Sequence, residues 1–405
     1  MSAPPFAWLW QEAAGPRSKR HNDESVQSPR AINQTTDSSI TSQPTAKGAD
    51  LALPATSGES DTSSPSLSGI PEAVREFIVF LDNAPGQGGV AQRAQALIRS
   101  LGVNGQPTLV FDQLNGFAIN ITDQQARRLQ ALGGVKSVEA NAAVFLDPPI
   151  PSSATPSSAL QPAAIGSTAL TSCTNGTAGS GEVLPWGVRA VWQGNDVSTR
   201  GNFASDTYAF VIDSGVLGTT GDLNLASSWH RSWVSGETAF TDGNGHGSHV
   251  AGTIAALANG KGVVGVAPGA QVVSLKVFDS SGGGASYTSI IDAINHAVAV
   301  INNNGLNKNK VVINMSLGGG FSSSLDTAAK NAANQGIRLA VAAGNDGEDA
   351  DGYSPAAAGD NPNVFTISAV DSQYRMASFS NWDQITSTDS VDDVDFAAPG
   401  VSVLS

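Results

Sequence analysis

Between residues 208 and 371 the chain repeats one pattern: a short, nearly unbroken apolar run, then a helix-length amphipathic segment. The runs are YAFVIDSGV (208–216), AQVVSLKVFD (270–279), KVVINMSLGGG (310–320), IRLAVAAGN (337–345) and NVFTISAVD (363–371). A strand that is apolar on both faces must be covered on both faces, and such strands belong to parallel sheets. Between the runs lie HGSHVAGTIAALAN (246–259), ASYTSIIDAINHAVAVINNN (285–304) and SSLDTAAKNAANQG (323–336), which have helical length and spacing. This alternation predicts βαβ units and an α/β fold, a doubly wound, mostly parallel sheet with helices on both faces. Working groups in such sheets gather at the carboxyl ends of the strands.

Upstream the pattern differs. REFIVFLDN (75–83) has strand character, and AQRAQALIRSLG (91–102) has helical spacing with a terminal glycine. TLVFDQLNGFAINI (108–121) reads as two strands about a turn at Asn115-Gly116. TDQQARRLQAL (122–132) is an amphipathic helix opened by a Thr cap, and VKSVEANAAVFL (135–146) closes with a strand. The order β-α-β-β-α-β predicts a small α+β, ferredoxin-like unit over 71–147. Residues 1–70 are rich in Ser, Thr, Pro, Gln and Asp and are expected to be disordered, and 148–181 reads as a linker. The α/β domain is expected over 182–405.

The formal charge of −14 argues against nucleic acid as a partner, because phosphate binding needs clustered Lys and Arg. No run of eighteen apolar residues exists, so no membrane span is expected. The opening MSAPPFAWLWQEAAGPRSKR lacks the basic start and long apolar stretch of a signal peptide. The single cysteine, Cys173, excludes an intramolecular disulfide and has no neighbouring base that would activate it.

Three residues stand where chemistry is expected. Asp213 ends the run YAFVID, His246 opens a helix inside DGNGHGSHVAGT (242–253), and Asn345 ends RLAVAAGN. A carboxylate that orients an imidazole, an imidazole that takes a proton from a nucleophile, and an amide N–H that stabilises an oxyanion make up acyl-transfer chemistry. Gly245 and Gly247 remove side chains on either side of His246, so the ring can reach a cleft. Taken singly each signal is weak. An Asp after a strand is commonly a turn or cap, and Gly-Asn is commonly a turn. His246 and His249 could share a metal, but no third ligand has suitable spacing.

Taken in order, VIDSGV, DGNGHGSHVAGT, NMSLGGG, AAGN, FSNW and FAAPGVSVLS resemble the signature segments of the subtilisin-like serine proteases, the proteinase K-like branch in particular. Ser248 stands where the family commonly has Thr. The resemblance runs from about 184 to 405, and the α+β unit before it is similar to the family's inhibitory, folding-assisting prodomain. It implies a serine endopeptidase made as a zymogen, with protein or peptide substrates and the prodomain as its intramolecular inhibitor. It also implies a secreted or extracytoplasmic location.

Residue by residue, the resemblance implies Asp213 as the orienting acid, His246 as the general base and Asn345 as the oxyanion donor. It implies Ser316, Leu317 and Gly318 as one segment that pairs with substrate backbone, and Gly282, Gly283 and Gly284 as the other. Ala342, Ala343 and Gly344 would line the primary specificity pocket. It also implies that catalysis uses no cofactor. The segment YSPAAAGDNPNVF (353–365) is similar to one that binds a structural calcium ion, which implies Pro362 and Val364 through their carbonyls and Asp395 through its carboxylate, all hard oxygen donors. The family's nucleophile lies in a G-T-S-M-A-x-P segment, and the 405 residues contain none. No catalytic serine is assigned, and the chain as given is expected to be inactive. The competing reading is a pseudoprotease or prodomain-type inhibitor that regulates a related protease.

Overall fold

A computed structural model describes residues 72–82, 88–146, 174–179, 181–383 and 393–405. The expectations for 1–70, for Cys173 and for most of the linker lie outside the described residues.

The first unit runs β1 (Val74–Leu81), α1 (Val90–Ser100), β2 (Leu109–Phe111), β3 (Gly116–Thr122), α2 (Asp123–Gln130) and β4 (Val135–Ala140), with antiparallel sheet order β2-β3-β1-β4. Local chemistry fixes its corners. Asn115 takes positive φ (62°) in the turn before β3. Thr122 accepts from Gln125 N at 3.3 Å while its own N–H donates to Gln125 Oε1 at 2.9 Å, a reciprocal cap on α2.

Alternation along β1 decides what each sheet face covers. Phe77, Val79 and Leu81 pack with Ile98 of α1 and Leu129 of α2. Ile78 and Phe80 join a second core instead, shared with two long helices of the following domain. A slip of one residue in β1 would exchange the two sets.

That domain is an eight-stranded sheet. It contains β6 (Tyr208–Asp213), β7 (Arg231–Ser232), β8 (Gln271–Lys276), β10 (Val311–Met315), β11 (Arg338–Ala342), β12 (Val364–Val370) and β13 (Phe396–Pro399) in the order β7-β8-β6-β10-β11-β12-β13, and the short strand Asn224–Leu225 also pairs with β8. Every pairing is parallel. Two further strands, β5 (Ala143–Val144) and β9 (Ala285–Ser286), pair antiparallel with each other outside this sheet.

Helices α5 (Tyr287–Asn303) and α6 (Ser323–Ala333) cover one face through Phe210, Ile212, Val273 and Leu275, and helix α4 (His246–Ala255) covers the other through Ala209, Val211 and Val272. A short helix, α3 (Trp186–Val191), lies nearer the start of the domain. The chain leaves β6 for β8 on one side and returns to β10 on the other, so the strand order reverses at β6. That reversal opens a crevice at the carboxyl ends, where Asp213 lies.

One expectation is corrected. Residues 135–146 do not form a single strand. β4 ends at Ala140, and the chain then leaves the first sheet to pair as β5 with β9. The break has a cause: Asn141 Oδ1 accepts from Thr288 N at 3.1 Å, which satisfies a donor in the first turn of α5.

Candidate active site

Asp213 closes β6 with no exposed surface. Its Oδ1 accepts from Ser214 N at 2.6 Å, and both of its oxygens face His246 Nδ1, at 2.8 and 3.0 Å. A buried carboxylate holding Nδ1 fixes the tautomer and leaves the other ring nitrogen to exchange a proton. The His246 side chain is 38% exposed, so the pair has a dry inner end and a wet outer one.

The glycines around His246 each have a distinct task. Gly245 carries φ 90° at the entry to α4, a conformation that disfavours any side chain. A Cβ on Gly247 would lie 2.1 Å from Gly215 O and 3.1 Å from Asp213 Oδ1. The helix can bring its histidine onto the acid only because that position is bare.

Sequence reading missed Asp242, which holds this arrangement. It is 6% exposed. Its Oδ1 accepts from Gly245 N (2.8 Å) and Ser214 Oγ (2.8 Å), and its Oδ2 accepts from Ser248 N (2.8 Å) and Ser248 Oγ (2.6 Å). One carboxylate thus caps the helix bearing the base and ties it to the residue after the acid. Ser214 Oγ also accepts from Gly247 N at 2.9 Å. Beneath them, fully buried Lys276 donates to Ser214 O and pairs with Glu237 at 3.1 Å. His249 does not join His246 at a shared point, since its Nε2 contacts Val403 O at 3.0 Å.

Asn345 follows β11 on a turn built around a second residue that sequence reading passed over. Asn381 has no exposed surface. Its Oδ1 accepts from Asp346 N (2.9 Å) and Glu348 N (3.2 Å), its Nδ2 donates to Ala343 O (3.1 Å), and its own N–H donates to Gly344 O (3.0 Å). The signal available was the segment FSNW, where two polar residues, Ser380 and Asn381, sit between aromatics.

A cleft of about 970 Å³ brings His246 together with Ser316, Leu317, Gly318, Ala342, Ala343, Gly344 and Asn345. Gly282, Gly283 and Gly284 lie beside residues 143–146, which run along this edge. Leu146 N donates to Gly282 O (3.3 Å), Val144 pairs with Ala285, and Tyr287 N donates to Ala142 O (2.9 Å). Across the cleft Val144 faces Gly319, where a Cβ would sit 3.5 Å from its Cγ1. The end of the first unit therefore lies between the two segments that the resemblance gives to substrate backbone.

Of the residues implied for calcium, Pro362 and Val364 stand at the entry to β12, with Val364 buried. Asp395 pairs with Thr366, donating N–H to its carbonyl at 3.0 Å and accepting its N–H on Oδ2 at 3.1 Å. All three offer only oxygen donors, the chemistry calcium takes.

The family model "Subtilase family" matches residues 194–405. The chain is 39% identical over 201 residues to an alkaline proteinase of Hapsidospora chrysogena, covering 50% of this chain and 45% of that protein. It is 38% identical over 224 residues to subtilisin E of Bacillus subtilis strain 168, covering 55% of this chain and 54% of that one. For subtilisin DY of Bacillus licheniformis the identity is 37% over 225 residues, 55% of this chain and 75% of the relative. A crystal structure of a cold adapted subtilisin-like serine proteinase aligns with TM-score 0.41 at 31% identity, over 49% of this chain and 65% of that one. The chain spans about half the length of most of the curated relatives it matches. With the family model covering more than half of its length, the chain belongs to the subtilase family.

Proposed function

We propose that this protein is a serine endopeptidase in which Asp213 orients His246, His246 is the general base and acid, and Asn345 donates to the oxyanion. The observation that carries the reading is the Asp213–His246 contact at 2.8 and 3.0 Å, with the acid wholly buried and the base at the cleft. His246 takes the proton from an attacking serine hydroxyl as the serine oxygen bonds to the scissile carbonyl carbon. It then passes that proton to the leaving amine as the C–N bond breaks. The nucleophile is a serine supplied from outside these 405 residues. Hydrolysis of a denatured protein substrate by the native protein, abolished by His246→Ala, is the expected outcome. Undiminished hydrolysis by that variant would contradict the reading.

The same reading makes residues 71–147 an inhibitory prodomain and the protein an extracytoplasmic zymogen. Support comes from the path of residues 143–146 and from two helix caps it places across the interface. Glu139 Oε2 accepts from Ser324 N (2.7 Å) and Ser323 Oγ (3.0 Å) on α6, and Asn141 caps α5. The isolated unit should inhibit a subtilase in trans, and no inhibition at micromolar concentration would remove this part of the account. The structural calcium ion at Pro362, Val364 and Asp395 belongs to the same proposal. It would steady the entry to β12 without entering the reaction.

A further inference from the structure

The cleft that holds His246 has a wall of one charge. Among the described residues that line it there is no Lys or Arg, and its one carboxylate is Asp346. Asp346 directly follows Asn345, and Glu348 stands two residues further on. Both side chains are exposed, but the backbone that carries them is tied at three successive N–H groups. Asp346 N and Glu348 N donate to the buried Asn381 Oδ1, at 2.9 and 3.2 Å, and Gly347 N donates to Phe379 O at 2.8 Å. Gly347 has φ 67°, and a Cβ there would lie 3.0 Å from Ser378 O. The turn that presents the two acids therefore admits only glycine between them without strain.

Tyr353 joins these acids to the substrate side of the cleft. It lines the cleft and pairs antiparallel with Gly320, next to the pairing of Ser354 with Gly319. Its strand thus adjoins the end of the segment that begins at Ser316. The Tyr353 hydroxyl donates to Glu348 Oε2 at 2.9 Å. Burial pushes that hydroxyl up to about 12, and the bond to Glu348 and the charges of Asp346 and Glu348 add to the shift, so both carboxylates bear on one phenol. A phenol has one proton to give, whereas two carboxylates have room for several donors. A guanidinium or ammonium group brings those donors together with the opposite charge.

We propose that Asp346 and Glu348, with Tyr353 beside them, select a basic side chain in the peptide that occupies the cleft. Asn345, the oxyanion donor, immediately precedes Asp346, so the selected side chain belongs to the residue whose carbonyl is attacked. The bond cut is then the one on the carboxyl side of Arg or Lys. The inference rests on the endopeptidase reading above and gives it a substrate class. Ala342, Ala343 and Gly344 leave room for a long side chain, whose apolar stem can lie along the wall while its charged end reaches the acids. Because both acids are exposed, salt screens the attraction and the preference is one of degree. Residues 137–188 contain no Lys or Arg, so the stretch joining the first unit to the α/β domain offers this cleft no favoured bond.

The test uses the native protein and the peptides succinyl-Ala-Ala-Pro-X-p-nitroanilide, with X as Arg, Lys, Leu or Glu. kcat/KM should be at least about tenfold higher for Arg than for Leu, and lowest for Glu. The Arg:Leu ratio should fall toward one in about 1 M salt. Asp346→Asn and Glu348→Gln should each lower the ratio. The double variant Asp346→Lys/Glu348→Lys should move the preference to Glu, which a mere change of shape would not do. Equilibrium binding of peptides ending in Arg or in Leu needs no turnover and should follow the same order. A protein that binds the Arg peptide preferentially but hydrolyses none of them contradicts the endopeptidase reading and supports the selection. An Arg peptide neither cut nor bound better than its Leu counterpart would overturn the selection, as would an Arg:Leu ratio unchanged in the double variant.

Discussion

Asp213, His246 and Asn345 could be picked out in the sequence because each sits at a boundary the chain marks: the end of an apolar run, the opening of a helix after glycine, the end of another run. Their consequences can be measured separately. Asn345→Ala in the native protein should lower kcat by about 10²–10³ with KM nearly unchanged, since an oxyanion donor acts on the transition state. An equal loss confined to KM would show that Asn345 serves ground-state binding instead. Asn381 was not legible because its partners lie more than thirty residues away, and the tie from Asp242 to Ser214 was hidden likewise, although Asp242 also bonds Gly245 and Ser248 close by in the chain. Asp242→Ala should cost about 3 kcal/mol in denaturant unfolding, because it leaves a buried donor at Ser214 and half-buried donors at Gly245 and Ser248 without an acceptor. A loss below about 0.5 kcal/mol, the range of an ordinary surface change, would show that Asp242 does not organise the site.

At the scale of elements, the apolar runs located the strands well, since a strand covered on both faces must be apolar throughout. The division of 135–146 into β4 and β5 was hidden, because what ends β4 is a helix terminus more than a hundred residues further along the chain. The same interface contains a titrating group. Asp326, in the first turn of α6, is 6% exposed and faces Glu139 of β4. Burial pushes its carboxyl up to about 7; Ser354 and Lys330 oppose the shift, and the charges of Glu139 and Asp393 add to it. The folded state therefore holds this proton more tightly than the unfolded chain does. The stability it contributes is present at low pH and is lost as pH rises from about 4 to about 7. Denaturation midpoints in EDTA should fall across that window, and Asp326→Asn should flatten the slope. Identical slopes for the two proteins would rule out Asp326 as the source.

The whole molecule places one buried acid, one half-exposed imidazole and one amide turn at the crevice of a parallel sheet, with residues 143–146 of the first unit lying along it. The overall plan was legible because layer architecture follows from alternation. The docking of the first unit was not, because it depends on which face of β1 remains after α1 and α2 are packed. The most direct test of the central claim is fluorophosphonate labelling of the protein as its native host makes it, with the adduct mapped by mass spectrometry. The account predicts one labelled serine, outside these 405 residues, and no label in His246→Ala. A folded native protein that never labels, or that labels a serine within these 405 residues, would contradict it.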